Sequence, residues 1–232
     1  TLLPVDKLIG KVYPLFGIAF VAMAVGLLGV LIFGDYTIPA MTLENLHVNK
    51  ANLPLMPTLF ITIACGAISG FHATQSPLMA RCVNNERECR FVFYGAMISE
   101  SVIALIWAAI AMAFFYEDGG VSAVMAGHTP AWAVNEISNT TLGVVGGILA
   151  ILGVVAAPIT SGDTAFRSAR LIAADMLNIS QTGLTNRVLV SLPLFLLGLF
   201  IIFALPFQTI WSYFAWMNQT LAAITLWCIT LY

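Results

Sequence analysis

Six long apolar runs, at residues 13–33, 53–71, 91–116, 141–159, 188–205 and 210–231, limit this chain more than any other feature of its sequence. A helix of about 20 apolar residues crosses about 30 Å of hydrocarbon. No water is available there to satisfy backbone groups, so such runs must be helical. The period-2 alternation of a membrane barrel strand is absent from them. Composition points the same way, with 60% of 232 residues hydrophobic and 9% charged, against about 25% charged in soluble domains. The net charge of −2 leaves no basic footprint for nucleic acid. The expectation is an all-α polytopic integral membrane protein, one transmembrane helical domain over 1–232 with about six spans.

The cations set an orientation. Lys7 and Lys11 precede the first run, Arg81, Arg87 and Arg90 follow the second, and Arg167, Arg170 and Arg187 follow the fourth. In a six-span arrangement all nine cations except Lys50 share one side, which the positive-inside rule makes cytoplasmic. Loops 77–90 and 167–187 are therefore expected in the cytoplasm. Cys82 and Cys89 would lie there as reduced thiols, and their spacing is not a zinc pattern. Nothing in the sequence implies a metal or a cofactor. Residue 1 is Thr, and the chain stops inside an apolar run. It is expected to be a piece of a longer protein whose other helices would be its partners.

Polar groups are costly in a bilayer, so their positions carry the functional signal. In the first such segment, Gly66 and Gly70 form a small-residue pair suited to close helix packing. His72, Thr74, Gln75 and Ser76 follow, and then Pro77, which removes a donor. This reads either as an ordinary helix end or as a helix unwound inside the membrane to line a solute site. In the second segment, a run rich in glycine meets Pro158, Thr160, Ser161, Gly162, Asp163 and Thr164. Pro158 and Gly162 are expected to break the helix, with Asp163 or Ser161 either capping its resumption or serving a solute. The third place is Glu100, whose helical face carries Ala96, Ala104, Ala108 and Ala111. That stripe predicts a close helix contact around a desolvated carboxylate, which either exchanges a proton or makes a structural hydrogen bond.

Two interrupted helices bearing hydroxyls and a carboxylate are the pattern of a secondary transporter, whose sites use discontinuous helices near the midplane. No repeated filter or ring motif suggests a channel. Asp163-Thr164-Ala165 weakly resembles an aspartic protease triplet but lacks a matching second one, and Gly-x-Ser-x-Gly is absent, so no enzyme is expected.

The same segments resemble the carbon starvation protein A (CstA) family. The resemblance rests on Phe71-His72-Ala73-Thr74-Gln75-Ser76-Pro77 with Met79-Ala80-Arg81, and on Phe93-Tyr94-Gly95-Ala96-Met97-Ile98-Ser99-Glu100. It also rests on Pro158 through Arg170, on Trp211-x-Tyr213-Phe214-x-Trp216-x-Asn218-Gln219, and on Ile9-Gly10-Lys11-Val12-Tyr13-Pro14. It implies a prokaryotic inner-membrane nutrient importer associated with starvation, with peptide uptake or with proton-coupled pyruvate uptake. It also implies further helices before the matched region. On this reading Asp163, Glu100 or both carry the coupling proton. His72, Thr74, Gln75, Ser76, Thr160, Ser161 and Thr164 bind or support the solute. Arg167 is expected to pair with Asp163, to attract an anionic solute, or to act as a positive-inside anchor. The alternative is a membrane sensor or interaction subunit that binds solute without transporting it.

Overall fold

In the computed structural model of the protein, residues 5–40, 42–47, 54–56, 58–60 and 70–232 are described. Its elements are α1 (Val5–Phe33), α2 (Gly70–Ala80), α3 (Glu86–Cys89), α4 (Ala96–Phe114), α5 (Val121–Val124), α6 (Pro130–Ala150), α7 (Ala156–Met176), α8 (Leu184–Ala204) and α9 (Phe207–Leu231). Wider π-helical turns, Arg90–Gly95 and Ile151–Val155, join α3 to α4 and α6 to α7. The chain is all-α among these residues. Five helical stretches in it are long and apolar enough to cross a membrane. They correspond to five of the six apolar runs; most of the remaining one, 53–71, with Gly66, lies outside the described residues.

The outward surface confirms the solvent. In no span does more than 29% of the apolar window lie buried inside the chain. Phe200, Ile202 and Phe203 on α8 are largely exposed. A surface of that kind is stable against lipid or other helices, not against water.

Two compact units emerge from the described residues. The first comprises Thr1–Lys7, Thr58–Met97 and Ser161–Tyr232, and the second Leu8–Pro57 and Ile98–Thr160. The second unit is built around Met23, Leu27, Ile110, Phe115, Ile137 and Ala150, all nearly or fully buried. Its entry into α6 follows from local chemistry. Thr129 caps the helix by accepting a hydrogen bond from the Trp132 amide at 3.3 Å, and Pro130 occupies the first turn, where a missing N–H costs nothing. The helix therefore starts at Pro130, earlier than the expected boundary near residue 141.

The expected helix breaks lie elsewhere. α7 runs unbroken through Pro158 and Gly162. The π-helical turn just ahead of Pro158 widens the backbone where the proline ring would strike the preceding turn. Gly162 only lowers helix propensity. The described part of the first segment is also helical, since α2 continues past Pro77 to Ala80. The sharp discontinuity falls instead at Gly143 inside α6, with φ 62° and ψ −150°, a conformation that only glycine adopts cheaply. There the chain folds back until Gly146 abuts the Ser138 carbonyl and Gly147 abuts the Asn139 side chain. Gly153 then packs on Phe20 and Met23, and Gly26 on Leu142, so glycines set the approach of α1 to both halves.

A methyl group at Gly146 would collide with backbone, which does not yield as a flexible side chain does. Gly146→Ala is expected to destabilise the protein by about 2 kcal/mol or more. Gly17→Ala, where an added carbon meets nothing within 4 Å, should leave stability unchanged or slightly raised. Thermal unfolding of both variants in detergent checks the ranking.

Candidate functional site

The polar segments of the first unit come together on three helices. On α2, His72, Thr74 and Gln75 are half-buried and Ser76 is exposed. Pro77 deprives the Ala73 carbonyl of its intrahelical donor. One residue earlier, the Ser76 hydroxyl donates to the His72 carbonyl at 2.7 Å. Gln75 makes the joining contact. Its Nε2 donates to the Ser168 Oγ of α7 at 2.8 Å and lies 3.5 Å from Thr74 Oγ1. Residues 93 positions apart in sequence are thus tied by an interhelical hydrogen bond, worth about 0.6–1.7 kcal/mol in a membrane protein.

The residues of α7 within this unit form polar stripes at helical spacing. Ser161, Thr164 and Ser168 recur at intervals of three and four, and so do Asp163, Arg167 and Arg170. Arg167 donates from Nη2 to Asp163 Oδ2 at 2.8 Å, an ion pair along one turn whose side chains are 33% and 17% exposed. Of the roles considered for Arg167, the structure supplies the pairing. The Ser168 hydroxyl that meets Gln75 is buried. Phe166, on the same helix, lies over Gly198 of α8 and against the Phe195 ring at 4.4 Å. Packing of α7 on α8 thereby fixes how its polar stripes are turned.

A cavity of about 540 Å³ opens beside α9, lined by Thr74, Phe214, Met217, Asn218 and Leu221 among others. Its size suits a small solute, and its mostly apolar wall with a few polar groups is the usual make-up of a ligand pocket. Asn218 is buried within the unit.

Glu100 and Thr160 belong to the second unit. Glu100 is exposed, as are Ala96, Ala104 and Ala108. Of that alanine stripe, Ala111 alone is half-buried and packs against the core of the second unit, so the close contact expected around Glu100 is not made at Ala96, Ala104 or Ala108. A cap at Ser161 or Asp163 is likewise not needed, because the helix passes through both.

Sequence reasoning overlooked Ser168, and it treated Arg170 only as a topology marker. Both are buried. Their signal was present in the periodicity: polar residues three, four and seven positions after Ser161 and Asp163 share a helical face with them.

Comparison with known proteins places the chain. The family model described as carbon starvation protein CstA matches residues 13–150, which include His72, Thr74, Gln75, Ser76 and Glu100 and end before Asp163. An uncharacterized membrane protein of Haemophilus influenzae is 47% identical over 133 residues, 50% of this chain and 36% of that protein. The pyruvate/proton symporter BtsT of Escherichia coli is 53% identical over 53 residues, 22% of this chain and 7% of its own. The peptide transporter CstA of Escherichia coli is 49% identical over 53 residues, 22% of this chain and 8% of its own. The chain thus covers about a third or less of the length of these three relatives. No solved structure matches it. With more than half of its residues matched by the family model, the chain belongs to the carbon starvation protein CstA family.

Proposed function

We propose that this chain forms part of a proton-coupled importer of small organic nutrients, pyruvate or short peptides, in a prokaryotic inner membrane. The Gln75–Ser168 hydrogen bond carries the reading, because it unites the two polar segments in one unit. On the same two helices, His72, Thr74, Gln75, Ser76, Ser161 and Thr164 offer the donors and acceptors that a small solute requires. Thr160 and Glu100, in the second unit, are proposed for the same duties there. The names of the symporter and peptide-transporter relatives support the substrate classes. The excess of cations in residues 77–90 and 167–187, which include the ends of α2 and α7, supports placing that side in the cytoplasm.

Asp163 is assigned the coupling proton. As a carboxylate it holds Arg167; when protonated it loses most of that attraction and frees the guanidinium. Exchange between the two states alters the charge beside the solute groups of α7, which is what coupling requires. Glu100 is the second candidate for the same duty, on the other unit.

Two tests address this assignment. In proteoliposomes of the full-length protein, labelled pyruvate or a labelled dipeptide should accumulate when an inward proton gradient is imposed. Asp163→Asn should abolish gradient-driven accumulation and leave solute exchange at equal pH. Unchanged accumulation would move the proton to Glu100, and saturable binding with no accumulation in wild type would favour a sensor. A double-mutant cycle of Gln75→Leu and Ser168→Ala, read by unfolding in detergent, should give a coupling of about 1 kcal/mol. A coupling near zero would remove the link between the segments.

A further inference from the structure

The first unit also holds a cluster of like charges whose compensation is incomplete. Arg170 is 8% exposed, and its Nε–H is buried with no partner. Its Nη1 reaches Gln181 Oε1 at 3.4 Å, while Arg187 donates from Nε to the backbone carbonyl of the same Gln181 at 2.7 Å. One residue of the α7–α8 connection therefore draws two guanidiniums together. Arg187 and Arg167 both act on Arg170 as repelling charges. Among the described residues, Asp163 is the carboxylate whose charge favours Arg170, and its Oδ2 already accepts from Arg167. Burying one guanidinium, Arg170, between two half-buried ones with a carboxylate already shared is unfavourable unless an anion completes the arrangement.

We infer that Arg170 and Arg187, held by Gln181, form an anion site that takes the carboxylate of a small organic solute. The inference rests on the transporter reading for the identity of the solute, though not for the existence of the site. The unused Nε–H lies on the edge through which an arginine grips a carboxylate side-on, with two parallel hydrogen bonds. Both proposed substrate classes carry such a group: pyruvate as its only charge, a peptide at its C-terminus. The cluster is also distinct from the Gln75–Ser168 contact, so it adds a charge-recognition point to the hydroxyl and amide groups already described.

The test uses the full-length protein in detergent, with acetate as the probe and acetamide and chloride at matched concentration as controls. Acetate should raise the unfolding midpoint of wild type by about 2 °C or more, and the controls should not. The increment should vanish in Arg170→Gln and Arg187→Gln, shrink in Arg170→Lys, and persist in Arg81→Gln. Without acetate, Arg170→Gln should be at least as stable as wild type, since a poorly compensated buried charge has gone; this keeps the variant informative. No increment in wild type, or an equal one in the Arg170 and Arg187 variants, would overturn the site. Stabilisation by phosphatidylglycerol in place of acetate would overturn the solute assignment and make the ligand a lipid phosphate. Failure of the transporter reading shows separately, as absent uptake in proteoliposomes beside an intact acetate response.

Discussion

Everything in this molecule follows from the obligation to satisfy backbone hydrogen bonds where no water is present. A peptide group left open in hydrocarbon costs several kcal/mol, more than the local preferences of proline and glycine within a helix. Helices therefore continue where their sequence would end them in water: α7 passes Pro158 and Gly162, and α2 passes Pro77. The irregularity is displaced to where it can be accommodated. It becomes a π-helical turn at Ile151–Val155, and a reversal at Gly143 against neighbouring helical backbone. Pro158 marks a strained hydrogen-bond ladder, and the ladder yields in the turn just ahead of it.

Side chains face the same constraint with fewer options. The buried Ser168 hydroxyl and the half-buried Gln75 amide find each other across helices, while the Thr141, Thr220 and Thr225 hydroxyls fold back to carbonyls of their own helices. The second kind of bond is local and available to any helical Ser or Thr. The first kind fixes rotation and register between two helices. This difference separates the Gln75–Ser168 pair from those threonine contacts, and it gives the two polar segments a shared geometry that proximity alone would not supply.

The sequence was most readable where periodicity and length decide the outcome. The spans around α1, α4, α8 and α9 follow from runs of apolar residues. The Asp163–Arg167 pair follows from a four-residue spacing on one helix. Less was readable where one residue's influence depends on its neighbours. Pro158 signalled a break because the π-helical relief of Ile151–Val155 has no signature in that apolar stretch. The alanines beside Glu100 signalled a helix contact, yet most of them are exposed within this chain; small residues permit close approach without supplying a partner. Gly143 stood in a row of small residues, and only its positive φ sets it apart.

Charge is the other quantity that burial makes expensive, and α7 handles it in two ways along a single face. At Asp163 and Arg167 opposite charges meet within one turn, and partial exposure moderates both desolvation and attraction. One turn further on, Arg170 is more deeply buried and has only the weaker help of an amide oxygen, with Arg187 close by. A chain that required these arginines only as cytoplasmic anchors would let them reach water, as the exposed Arg81 and Arg90 do. Burying Arg170 beside a second guanidinium makes sense when the charge is kept for something that arrives. Protonation of Asp163 would then release Arg167 and strengthen the positive field around the same place. On the proposed assignments the proton and an anionic solute would reinforce each other's binding through one helix, with no need for a long-range pathway.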